Sequence, residues 1–325
     1  MSNPTLAYRI LSVEAVKKIA VALLNGLIKF LNLLSEKNAF KMAELMGLAF
    51  YFLGSKTRTA TINSIKTAFA GISDEKARGI ARAAFINQSK NLVELMRYPS
   101  LKRRDINRKI KFEGLENLTS ALARGKGVIL LVAHIGNWEL LGAVWGLLGH
   151  RVYSFFLDAR IDAIGKLLND LRESRGIKLI PRAELKKSVQ CLRENAMLGV
   201  IADQDGGENG VYTKFFGRIV SAPRGPAALA RNTGATILPN FLIRNSDGTY
   251  TMVMQKPIVF KKTSGKEADI KNYTERFLEI YEKIIGQYPD QWLWMYDRWK
   301  ERRHVTAFLK EFEANSGWPE DGEKK

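Results

Sequence analysis

Between Leu115 and Arg244 short apolar runs keep returning, and none alternates strictly. "GVILLVA", "RVYSFFL", "IKLI", "AMLGVIA" and "ATILPNFLIR" are separated by helical patterns such as "NWELLGAVWGLLG", "DAIGKLLNDLRESRG", "RAELKKSVQCLREN" and "PRGPAALARNTG". A strand with one wet face alternates apolar and polar side chains, whereas a strand covered on both faces does not. Helices alternating with unbroken apolar strands restrict this region to an α/β fold, with a mainly parallel central sheet covered by helices. "YTMVMQKPIVF" adds more strand, and "ADIKNYTERFLEIYEKIIGQYP" closes the region with a long helix.

The region before it reads as all-helical. "IAVALLNGLIKFLNLL" and "AFKMAELMGLAFYFLG" are apolar helices interrupted by Asn25, Lys29, Asn32, Lys41 and Glu44. A spanning helix wants about 20 apolar residues with few charges, which these meet only marginally, so they are expected to associate with a membrane, spanning it or lying in its interface; a buried helical hairpin is the other reading. "TRTATINSIKTAF" and "SDEKARGIARAAFINQSKNLVELM" follow as amphipathic helices, the second with Ser73 as N-cap. The run "LKRRDINRKIKFEG" gathers cations that are either a solvated face or a contact for lipid phosphates. Three parts are therefore expected: a helical, membrane-associating region over 1–98, an α/β domain over 99–312 and a flexible tail over 313–325.

Charge narrows the partners. A formal net charge of +18 implies an anionic one. Recognisable nucleic-acid modules are missing, so a membrane surface, an anionic lipid or an acidic protein is expected and nucleic acid is not. The single cysteine, Cys191, fits a reducing compartment and rules out an intrachain disulfide. The opening residues lack the apolar stretch of a cleavable signal.

No G-x-S-x-G elbow, Walker A loop, H-E-x-x-H or C-x-x-C is present, which lowers serine hydrolase, P-loop and metal hydrolase chemistries. What remains is "VILLVAHIGNWELLG". His134 falls at the carboxyl end of a buried strand, the edge where open α/β sheets place their ligands. Gly136 permits a tight turn, Asn137 is a good N-cap, and Glu139 lies in the first helical turn, where the dipole favours its charge. Folded back, Glu139 would hold one imidazole nitrogen and make the other a better base. The spacing alone is a weak signal; the strand–turn–helix placement strengthens it. Asp203 and Gln204, in "IADQDGG", sit at another strand end, as a site or as a turn. His150 and His304 read as surface residues or caps.

At these residues the chain resembles the bacterial lipid A biosynthesis acyltransferases, within the wider H-x4-[D/E] glycerolipid acyltransferase group that includes the phosphatidylinositol-mannoside acyltransferases. "HIGNWE", "DQDGGENGVYTKFFG", "ALARNTGATILP" and "YPDQWLWMYDRWK" match its blocks in order, and the N-terminal helices fit as well. One departure stands out: Tyr296 and Asp297 occupy a stretch where many members carry His before Arg-Trp.

The resemblance implies transfer of a fatty acyl chain from a thioester of acyl carrier protein or coenzyme A to a hydroxyl of a lipid A precursor or related glycolipid. It implies a place at the cytoplasmic face of the bacterial inner membrane. A lysophospholipid or phosphatidylinositol-mannoside-type acceptor is the alternative. An alternative of another class is a non-catalytic basic protein that binds membranes or nucleic acid. His134 would be the general base and Glu139 its orienting carboxylate, with no bound cofactor and no metal. Oxyanion or substrate contacts would come from Arg172, then Arg160, the backbone N–H groups near Gly136 and Asn137, and Asp203 and Gln204. Trp138, Phe215 and Phe216 would line an acyl groove, although core packing is nearly as good a reading for the phenylalanines.

Overall fold

The structure is a computed structural model and describes residues 14–156, 162–182 and 184–314. Four helices come first: α1 (Glu14–Leu33), α2 (Glu36–Leu53), α3 (Ser55–Ala68) and α4 (Asp74–Met96). The Ser73 side chain accepts from the Lys76 N–H, and Asp74 and Glu75 fill the first turn of α4, which fixes where that helix begins. A short helix, α5 (Arg103–Lys109), leads into strand β1 (Ile110–Glu113).

From there helices and strands alternate: α6 (Leu115–Ala123), β2 (Val128–Val132), α7 (Trp138–Leu147), β3 (Val152–Phe156), α8 (Asp162–Glu173), β4 (Ile177–Pro181), α9 (Leu185–Arg193) and β5 (Met197–Ile201). The hairpin β6 (Val211–Phe215) and β7 (Arg218–Ala222) precedes α10 (Gly225–Thr233), β8 (Thr236–Arg244), β9 (Tyr250–Met254), α11 (Lys266–Gln287) and α12 (Arg303–Ala314).

Seven strands form one sheet in the order β1-β9-β8-β2-β5-β3-β4. Every neighbouring pair in it is parallel except β8 with β9. The expected α/β class and mainly parallel sheet are therefore observed. All five residues of β2 are buried, as a central strand covered on both faces requires. Two apolar cores flank the sheet, and both contain residues of the N-terminal helices: Tyr51, Ile65, Ala81 and Phe85 in one, Ile28, Leu31, Ala39 and Val93 in the other.

Two elements differ from the sequence reading. Part of the basic run is an edge strand, because Ile110 and Phe112 alternate with Lys111 and Glu113 and pair in parallel with β9. The glycine-rich stretch 203–217, "DQDGGENGVYTKFFG", has the composition of a loop but ends in the β6–β7 hairpin, whose two turn residues, Phe216 (φ 50) and Gly217 (φ 71), both take positive φ as a type I′ turn demands. Among the described residues no helix is long and apolar enough to cross a membrane.

Candidate active site

The parallel pairing of β2 with β5 builds the site. Val132 pairs with Ile201 in register. Two residues beyond each, at the same level above the sheet's carboxyl edge, stand His134 and Asp203. The His134 Nδ1 lies 2.8 Å from Asp203 Oδ1, and the His134 backbone N–H donates to Oδ2 at 3.0 Å. The Trp292 indole N–H donates to the same Oδ2 at 2.7 Å, and Arg298 Nε donates to the Asp203 carbonyl at 3.0 Å. Arg298 is itself 1% exposed, and burial brings its pKa down to about 10.

This clasp sets the electrostatics. Burial alone would raise the Asp203 carboxyl, but the His134 ring, with the Trp292 and His134 N–H donors, holds it below its ordinary value. Burial alone would lower the His134 pKa; the Asp203 charge and hydrogen bond, aided by the Glu139 charge, carry it above the ordinary histidine value. With Nδ1–H given to the carboxylate, neutral His134 carries its lone pair on Nε2. Among the described residues Nε2 has no hydrogen-bond partner, and the Trp138 ring meets the imidazole edge-to-face at 5.1 Å between centroids.

The expected pairing of Glu139 with His134 is corrected. Both Glu139 oxygens accept from Arg172, from Nε and from an Nη, each at 2.8 Å. A planar guanidinium matches a carboxylate in two bonds at once, whereas the imidazole's Nδ1 is already taken by Asp203. Burial opposes the Arg172 charge, and the Glu139 partner more than restores it.

A sequence profile described as bacterial lipid A biosynthesis acyltransferase matches residues 11–301. The chain belongs to this family. Among curated proteins it is similar to the phosphatidylinositol mannoside acyltransferase of Mycobacterium tuberculosis, 28% identical over 214 residues that cover 63% of this chain and 66% of that protein. It is similar to the lipid A biosynthesis palmitoleoyltransferase of Escherichia coli K12, 27% identical over 197 residues, 58% of this chain and 61% of that one. The lipid A biosynthesis lauroyltransferase of the same organism is 24% identical over 260 residues, 78% and 82% of the two chains.

The remaining expected site residues of this family member separate into several groups. Neither backbone N–H expected to bind an oxyanion is free to do so: Gly136 donates to Gln291 O at 3.1 Å and Asn137 to Leu242 O at 2.8 Å. The Asn137 side chain, fully buried, caps α7 through Leu140 and donates to Glu94. Arg172 spends three of its five N–H groups on Glu139 and Asn169, leaving one on each terminal nitrogen. Gln204 is half-buried beside Asp203. Phe215 is 0% exposed and packs against Trp292 and Trp299, which makes it core and not an open groove wall; Phe216 packs against Phe69 and Trp299. Arg160 lies outside the described residues. His304, expected to be a surface residue or a cap, is half-buried with its Nε2 3.2 Å from Asp205. Trp292 and Arg298 lie in the block "YPDQWLWMYDRWK", which by itself does not signal this role; it follows only from the return of residues 292–298 to the β5 end.

Proposed function

We propose that this protein is an O-acyltransferase that moves a fatty acyl chain from a thioester to a hydroxyl of a glycolipid. The clasp of Asp203 on His134 Nδ1 carries the reading, because it presents Nε2 as a base at the carboxyl edge of the central strand. Nε2 takes the proton of the acceptor hydroxyl as the oxygen attacks the thioester carbonyl. Asp203 holds the ring's orientation and balances the imidazolium charge. The tetrahedral adduct collapses, the C–S bond breaks, and the imidazolium returns its proton to the departing thiolate. No covalent enzyme intermediate is required, in keeping with the absence of a nucleophile motif. Glu139, whose charge reaches His134, is held by Arg172, and we assign the two remaining Arg172 N–H groups to the oxyanion. Acyl carrier protein or coenzyme A would present the thioester, and the chain's net charge of +18 suits either acidic donor.

We further propose that α1 and α2 hold the enzyme on a membrane surface. Leu23, Leu33, Leu45, Phe52 and Leu53 all stand exposed on these two helices, an uncovered apolar area that water disfavours.

Lipid mass spectrometry of cells lacking the protein tests the function. One acyl chain should be missing from a glycolipid and return with the wild type but not with His134→Ala. In purified form this variant should lose about 10²–10⁴ in rate, the contribution of a positioned base, with its circular dichroism unchanged. Full activity of folded His134→Ala would refute the reading.

A further inference from the structure

The turn that carries His134 is fastened from three sides. The segment after α11 holds it through two backbone bonds: Leu293 N–H donates to His134 O at 2.9 Å, and Gln291 O accepts from Gly136 N–H at 3.1 Å. Strand β8 holds it through Leu242 O, which accepts from Asn137 N–H at 2.8 Å. The third side is α4, and here side chains do the fastening. Asn91 Nδ2 donates to Gly136 O at 2.7 Å, and Glu94 Oε2 accepts from Asn137 Nδ2 at 2.7 Å. Three residues apart, Asn91 and Glu94 share one helix face.

Both side chains are seated by a second pair. One Nη of Arg244 donates to Asn91 Oδ1 at 2.8 Å and to Glu94 Oε2 at 2.7 Å. The Tyr250 hydroxyl meets the two Glu94 oxygens at 2.5 and 2.6 Å, and the Arg244 guanidinium lies 4.8 Å from the Tyr250 ring centroid. The Glu94 and Arg244 side chains are only 14% and 7% exposed.

A buried ion pair is a poor way to stabilise a helix that already packs through Ala77, Ala81, Phe85, Val93 and Met96. Apolar side chains of similar volume do as well or better. What polar groups add is direction, since each bond fixes an angle as well as a distance. Here they converge on Gly136 and Asn137, the last two residues of the connection from His134's strand to its helix.

We propose that Asn91 and Glu94, seated by Arg244 and Tyr250, are positioning residues for His134 that lock the 134–137 turn. The benefit to catalysis rests on the function proposed above; the lock itself does not.

The test uses the full chain with Asn91→Ala, Asn91→Asp and Glu94→Leu. Asn91→Asp keeps the shape but cannot donate to Gly136 O, and Glu94→Leu keeps much of the volume but cannot accept from Asn137 Nδ2. Hydrogen exchange read by mass spectrometry should show protection over 134–141 falling about tenfold or more in each variant, with β2 and β5 protection kept within about twofold, as a local opening requires. In acyl transfer, kcat should fall on the order of 100-fold, the scale of a misplaced catalytic group, with the KM for the thioester within about twofold. Unchanged protection over 134–141 would overturn the proposal. So would sheet-wide loss of protection in all three variants, or a local loss that leaves kcat intact. Should the wild type transfer no acyl group, the functional reading fails by itself, and local loss of protection in the variants still upholds the lock.

Discussion

At the scale of single residues, the site depends on which acid His134 faces. The sequence offers Glu139, five positions away, and geometry selects Asp203, 69 positions away. His134 was legible because a histidine at the end of an unbroken apolar strand has few structural reasons to be there. Asp203 was legible as a strand end, but not as the partner. That relation exists only once β2 and β5 lie side by side in register. Glu139 misled because proximity in sequence is not proximity of charge: its carboxylate turns to the fork of Arg172. The raised His134 pKa has a definite sign. A general base works only when neutral, so kcat/KM should climb with pH through an apparent pKa above the ordinary 6.5 of histidine. A pH–rate profile with its rising limb below that value would count against Asp203's influence.

At the scale of elements, the central strands and covering helices followed from periodicity, while β1 and the β6–β7 hairpin did not. Charged residues conceal β1, whose outward positions are Lys111 and Glu113, and glycines before the hairpin gave it the look of a loop. The turn after β2 is a tight joint. Gly136 has φ +61, and a Cβ there would lie 2.0 Å from the Leu242 carbonyl oxygen. Gly136→Ala should cost roughly 1–2 kcal/mol for the left-handed backbone alone, before the clash is relieved. The denaturation midpoint should fall accordingly, and an unchanged midpoint would mean that the turn can relax freely. The Asn91–Glu94 face of α4 had one trace in the sequence, a carboxylate inside the apolar run "LVELM". Its partners Arg244 and Tyr250 lie 150 and 156 residues away and left none.

At the scale of the whole molecule, the N-terminal helices share their cores with the sheet and still leave apolar side chains outside. Together with the +18 charge, this supports the proposed attachment to an anionic membrane surface. Binding to anionic vesicles should weaken as salt shortens the Debye length from about 10 Å at 0.1 M to about 3 Å at 1 M. A salt-resistant remainder should shrink in the double variant Leu33→Ser with Leu53→Ser. Binding indifferent to both salt and these substitutions would remove the membrane role from α1 and α2. The chemistry proposed for the folded molecule comes down to one comparison, the pH dependence of kcat/KM for acyl transfer in Asp203→Asn beside Glu139→Gln. Removing the Asp203 charge should move the rising limb to lower pH and depress the plateau by about 10² or more, as loss of a base's orienting partner does. Glu139→Gln should shift the limb less, because Glu139 acts on His134 only through its charge. A limb that moves in Glu139→Gln and stays in place in Asp203→Asn would contradict the His134–Asp203 pairing.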